Sequence, residues 1–158
     1  MTTESGSATP NQAESDGSRN TEIVYVSWGG TGRAATLRQA MERAHDNDLS
    51  LVYLAILDDS TFGDIDRVML DLVKDELSWL LDAQIELSKR QSGIEDVPIR
   101  VLVQAGDVAE EIIEAASAVG RAEVLIGAPI PERGGDAIAE LVGLVARRTG
   151  APVTVIEP

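Results

Sequence analysis

The run Val101-Leu102-Val103-Gln104-Ala105-Gly106-Asp107-Val108-Ala109-Glu110-Glu111-Ile112-Ile113-Glu114-Ala115-Ala116 changes hydrophobic period partway along, and that change decides the fold. From Pro98 to Gln104 the apolar residues Ile99, Val101 and Val103 alternate, as on one face of a strand. Gly106 interrupts them. Asp107, followed three residues later by Glu110, has the spacing of a capping box at a helix start. Val108, Ile112, Ile113, Ala116 and Val119 then recur at intervals of three and four, the spacing of one helical face. A strand that passes through a tight turn directly into a helix is the repeating half of a βαβ unit.

The same alternation extends in both directions. Towards the C-terminus, Glu123–Ile126 reads as a short buried strand, Asp136–Arg148 as a helix and Pro152–Ile156 as a last strand. Towards the N-terminus, Ile23–Val26 reads as a strand closed by Ser27-Trp28-Gly29-Gly30, and Ala34, Ala35, Leu37, Met41 and Ala44 mark the face of a following helix. Leu49–Leu57 is almost unbroken apolar sequence ending in Asp58-Asp59, as expected of a strand buried on both faces of a parallel sheet. Ile65, Val68, Met69, Leu72, Val73, Leu77, Leu80 and Leu81 form the stripe of a long helix, which Gly93 ends. Trp79, beside that stripe, is expected in the core or at an interface.

Five strands and four helices in strict alternation predict an α/β fold. It is a single-domain five-stranded parallel sheet with helices on both faces, right-handed crossovers and a ligand crevice at the strand C-termini. The domain is expected over residues 22–158. Residues 1–20 have no aliphatic side chain larger than alanine after Met1 and are expected to form a disordered polar tail.

Composition narrows the chemistry. The 158 residues carry 13 Lys+Arg against 27 Asp+Glu, a net charge of −14. Such a surface repels nucleic-acid phosphates and anionic lipid headgroups. With no cysteine there is no disulfide, thiol nucleophile or thiolate metal site. The lone His45, in the polar stretch His45-Asp46-Asn47-Asp48, is expected on a solvated helix C-terminus. No apolar run reaches the roughly 20 residues of a membrane span and no signal-peptide pattern opens the chain, so the expected location is cytoplasmic. The excess of acids beside only two lysines, Lys74 and Lys89, fits either a salt-rich cytoplasm or a GC-rich genome.

Gly30-Thr31-Gly32-Arg33-Ala34-Ala35 satisfies G-x-G-x-x-A between a strand and a helix. Three residues separate it from the end of the strand, however, and a strand-to-helix turn also uses glycine in this way. No P-loop sequence occurs. Asp58, Asp59, Asp64 and Asp66 flank one loop at the sheet edge where a magnesium ion could sit, or they start the next helix, where its dipole favours acids. Trp28 could stack on a ligand in the crevice or simply pack. No nucleophile and base can be paired, and a non-enzymatic protein is expected.

The segments Val101–Ala116 and Ala122-Glu123-Val124-Leu125-Ile126-Gly127, with the closing Gly150-Ala151-Pro152-Val153-Thr154-Val155-Ile156, resemble the universal stress protein family over residues 22–158. The resemblance implies an adenine nucleotide alpha hydrolase-like, Rossmann-like fold and a role in stress response. ATP-binding members carry G-x2-G-x9-G-[ST] after the fourth strand. Gly127 matches the first glycine, but Ile130 takes the second position and, counting back from Pro152, Ala139 and Glu140 take the third glycine and its hydroxyl. Ser27 stands where those members have aspartate, and Trp28 where glycine is usual. The implied protein is one without typical ATP binding, a homodimer paired through the edge Val153, Thr154, Val155 and Ile156 and acting through protein partners; no cofactor is expected. The alternative is a sensor of ATP, AMP or another small ligand, with a crevice built differently from Ser27, Gly29, Gly127, Arg133 and Gly134.

Overall fold

The computed structural model describes residues 22–27, 34–58, 64–119, 122–127 and 135–156. The elements are β1 (Glu22–Ser27), α1 (Ala34–Asp46), β2 (Ser50–Asp58), α2 (Arg67–Ser92), β3 (Ile99–Gly106), α3 (Val108–Val119), β4 (Ala122–Gly127), α4 (Gly135–Thr149) and β5 (Val153–Ile156). This is the alternation read from the sequence, with boundaries shifted by a residue or two. All pairings are parallel, in the order β3-β2-β1-β4-β5. The 1–20 tail, Trp28, Gly29, the G-x-G run, Ile130, Arg133 and Gly134 lie outside the described residues.

Strand side chains point alternately to the two faces, so the apolar runs of β1 and β2 feed two cores at once. Ile23, Tyr25, Leu51 and Tyr53 join Leu37 and Met41 of α1 and Leu81 and Ile85 of α2 on one face. Val24, Val26, Val52, Leu54, Val124 and Ile126 join Ile112 and Ile113 of α3 and Leu141 and Val145 of α4 on the other.

Local chemistry sets the helix ends. Asp66 caps α2 by accepting a hydrogen bond from the Met69 amide at 3.0 Å, so the cap falls two residues beyond Asp64, which is exposed in the preceding turn. Gly93 ends α2 in the left-handed conformation, φ 76°, and donates its N–H to the Lys89 carbonyl. At α3, Asp107 Oδ2 accepts from the Glu110 amide at 3.1 Å. The Glu110 carboxylate does not return the bond as a full capping box would; it faces Arg148 at 3.4 Å. His45 is exposed in the last turn of α1, as expected, with Nδ1 3.0 Å from Asp96 Oδ1.

Two helical faces differ from their predicted form. In α1 the buried positions are Thr36, Leu37, Ala40, Met41 and Ala44, and Ala35 is exposed. In α2 only Leu81, Ile85 and Ser88 are buried, while Val68, Met69, Leu72 and Leu80 of the predicted stripe lie in solvent, as does Trp79 beside it, which is therefore not part of the core. The stripe is wider than one packing face. α2 lies over the edge strand β3 and beside α1, and that position covers only one side of it.

Candidate functional site

The sheet order places β1 between β2 and β4, so the chain leaves the two sides of β1 in opposite directions. This is the switch point where an open parallel sheet forms its crevice beyond the strand C-termini. Ser27 ends β1 in register with Ala55 of β2 and Gly127 of β4. Of the site residues expected from the sequence, Ser27 and Gly127 lie side by side in the fold. Gly29, Arg133 and Gly134 fall outside the described residues.

Below this pair the floor is built from hydroxyl groups. Tyr25 and Tyr53 are register partners on β1 and β2, and their rings meet edge to face with centroids 5.1 Å apart. The Tyr25 hydroxyl is 2.7 Å from Thr36 Oγ1 on α1, a buried contact in which either oxygen can donate. A Cβ on Gly127 would lie 3.1 Å from the Tyr25 hydroxyl and 3.3 Å from Thr36 Oγ1. Internal packing therefore accounts for glycine at 127, the one position that matches the nucleotide-binding pattern.

Tyr53 is fully buried and its hydroxyl completes no hydrogen bond. Burial pushes its phenol above the ordinary value near 10.0, and the nearby Ser27 side chain opposes this by favouring the ionised form. The Ser27 contact falls short of a formed hydrogen bond. Tyr25, Tyr53 and Thr36 were not singled out from the sequence. The available signal was two tyrosines of the same strand parity inside aliphatic runs, a placement that gives a phenol an apolar body and a polar tip to satisfy.

Ala139 and Glu140 are both exposed on α4. A glutamate where the resemblance calls for a phosphate-binding hydroxyl adds repulsion to a chain already at −14. Of the motif positions the chain keeps glycine at 127 and has Ile130, Ala139 and Glu140 at the others, and the turn over residues 128–134 that would carry most of an amide cradle lies outside the described residues.

At the opposite end of the sheet, Glu123 of β4 is buried and paired with Arg43 of α1. The bond raises the Arg43 pKa further, keeping the guanidinium charged. Glu22 of β1 lies 3.6 Å from Arg100 and accepts from Ser50 at 3.1 Å. These contacts tie strands and helix together away from the crevice. Among the described residues no group of three acidic or histidine side chains gathers as a metal site, and no helix is long and apolar enough to cross a membrane.

No protein-family profile matches the chain, and no curated protein matches it. Solved structures do. Universal stress protein UspA from Lactobacillus plantarum superposes with a TM-score of 0.60 at 20% identity, covering 89% of this chain and 98% of that one. A universal stress protein family protein from Burkholderia pseudomallei gives 0.56 at 21% identity, covering 85% and 94%. A universal stress protein from Archaeoglobus fulgidus, solved in complex with dAMP, gives 0.55 at 16% identity over 85% and 97%. Another universal stress protein was solved with cAMP and gives 0.55 at 15% identity over 89% and 98%. The architecture is that of the universal stress proteins, over nearly the whole length of each.

Proposed function

We propose that this chain is a non-enzymatic protein of the universal stress type that acts through protein contacts and does not hold ATP in the usual way. The observation that carries the reading is the crevice floor. The one glycine that matches the nucleotide motif, Gly127, is held against the Tyr25 and Thr36 hydroxyls, which lie 2.7 Å from each other, so packing under α1 is enough to explain it without a ligand. Calorimetry with ATP, AMP and cAMP, with and without magnesium and in molar KCl to screen the surface, tests it. No heat at millimolar nucleotide is expected, and saturable binding of ATP would overturn the reading.

β5 is an outer strand of the sheet, and its Val153, Thr154 and Val155 remain exposed or half-buried, with Ile156 turned into the core. An unpaired edge of this kind can pair with its two-fold mate, which makes a homodimer part of the proposal. Light scattering at tens of micromolar should return more than the monomer mass. Val155→Pro, which removes a donor from that edge, should lower it.

A second reading is favoured by Tyr53. A buried hydroxyl without a hydrogen bond, beside Ser27 at the switch point, is a group that a small ligand could satisfy, and relatives of this fold were solved with cAMP and dAMP. Heat from a nucleoside monophosphate, lost in Ser27→Val, would favour this reading over the first.

A further inference from the structure

The long helix α2 has two apolar faces, and the sheet uses one. Leu81 and Ile85 enter the core with Leu77 packed against them. Val68 (72% exposed), Met69 (51%), Leu72 (56%), Trp79 (67%), Leu80 (53%) and Leu87 (48%) lie outside it. At 3.6 residues per turn these six, with Ala83, fall on about one third of the circumference, adjoining the buried side. They form one strip along most of α2, interrupted by Glu76 and joined towards its C-terminal end by Glu86 and Arg90, which fall in the same arc. Their exposed parts amount to several hundred Å² per copy, approaching the roughly 800 Å² each partner contributes to a stable interface. Monomers seldom leave such a strip to water.

We infer that this strip is a self-association surface, on which α2 of a second copy packs antiparallel across a two-fold axis near Trp79 and Leu80. The inference rests on the reading of the chain as one that acts through protein contacts. The central part of the strip, from Leu72 to Leu87, is self-complementary under that operation, while Met69 and Val68 at its end face the second copy's Arg90 and Gln91. Residue numbers facing each other sum to 159, so Leu72 meets the second copy's Leu87, Trp79 its Leu80, and Glu76 the small Ala83. Charge agrees. The first half of α2, with Asp71, Asp75 and Glu76 against Arg67 and Lys74, is net acidic, and its last turn carries Lys89 and Arg90. Reversed pairing brings the basic end of each helix to the acidic half of the other, with Arg90 on the same flank as the second copy's Asp75.

The rest of the chain also favours this occupant. α2 carries four basic and five acidic residues, net −1 in a chain of −14, and both of the chain's lysines are among them, so two copies meet here with little repulsion. The polar stretch 2–20 carries no large apolar side chain to lay on such a strip. α2 and β5 lie towards opposite edges of the sheet, so pairing at one leaves the other free, and the two together would build a tetramer or a longer array.

Sedimentation velocity on the full chain in molar KCl, at 10–100 µM, tests the surface. Leu72→Glu with Leu80→Glu changes two exposed positions, so the thermal melt should hold, while self-association should weaken at least tenfold. Glu76→Leu should strengthen it. Because the chain has no cysteine, Leu80→Cys provides a single thiol near the axis. It should form a disulfide-linked dimer under mild oxidation, and Gln91→Cys, far from the axis, should not. Unchanged mass in the double variant, or equal cross-linking at 80 and 91, overturns the inference and leaves the strip to a different partner. These outcomes are independent of nucleotide binding and of Val155→Pro, so failure here is distinguishable from failure of the proposed function.

Discussion

The two faces of the one sheet are built from different chemistry. The face under α3 and α4 is aliphatic throughout: Val24, Val26, Val52, Leu54, Val124 and Ile126 against Val108, Ile112, Ile113, Leu141 and Val145. The face under α1 and α2 holds both tyrosines, the buried Thr36 and Ser88, and the Arg43–Glu123 pair, and its long helix exposes a second apolar strip. Stability requires only the first kind of surface, since a hydrocarbon core leaves no polar group to satisfy. Polar atoms and exposed apolar side chains on the second face mark where the sequence serves something besides the core.

If that division is right, the largest losses come from the aliphatic side. Ile112 is fully buried, and Ile112→Ala should lower the unfolding free energy in urea by about 2–5 kcal/mol. A loss below about 1 kcal/mol would mean that this face is not the better packed one. On the other face, the largest loss should follow Arg43→Ala, which leaves the buried Glu123 carboxylate without its cation. Water can enter from the Arg43 side, which is half exposed, so the expected cost is about 2 kcal/mol, short of the roughly 3–5 for a fully buried pair. Arg43→Ala with Glu123→Leu should recover much of it. A single variant no worse than an ordinary surface change, about 0.5 kcal/mol, would show that the pair does not hold α1 to β4.

The aliphatic face was also the more legible. Leu49–Leu57 and the Val108/Ile112/Ile113 spacing state strand and helix without ambiguity, because burial on that side asks only for hydrophobicity at the right period. On the other face periodicity misled. Val68, Leu72 and Leu80 share helical spacing with the buried Leu81 and Ile85, and a stripe does not reveal whether its outer half meets the sheet, another protein or water. Glu110 shows the same limit for caps. Its spacing from Asp107 states the box, but a long side chain turns to whichever cation the tertiary fold supplies, here Arg148. At the site, Gly127 was visible as a glycine at a family position, yet its reason, the Tyr25–Thr36 contact, joins residues 11 apart in sequence and exists only once α1 lies on β1.

That reason can be tested directly. Gly127→Ala places a Cβ 3.1 Å from the Tyr25 hydroxyl, tight enough that the hydroxyl must give way. The expected cost is about 1–2 kcal/mol, from overpacking. In a Tyr25→Phe background the obstructing oxygen is gone and the same substitution should cost measurably less, a coupling that a double-mutant cycle reads out. Equal cost in both backgrounds would return Gly127 to a role in backbone approach to a ligand and would weaken the proposed function accordingly.

The smallest effect at neutral pH belongs to Tyr53, and its sign is the most informative. Its buried hydroxyl makes no hydrogen bond, so Tyr53→Phe deletes a desolvated polar atom without stranding a partner and should change stability by no more than about 0.5 kcal/mol at pH 7. At high pH the variants should part. Burial raises the folded-state phenol above its unfolded value near 10.0, so the neutral form is favoured in the fold. That contribution is complete below the unfolded value and is lost as pH climbs through it towards the raised folded value. Wild-type stability should therefore fall more steeply above pH 10 than that of Tyr53→Phe, in urea melts at fixed high salt. Parallel curves would mean that Tyr53 titrates as in the unfolded chain, which requires water or Ser27 to reach its hydroxyl. The crevice floor would then be wet, and the ligand-sensing reading would gain at the expense of the one proposed.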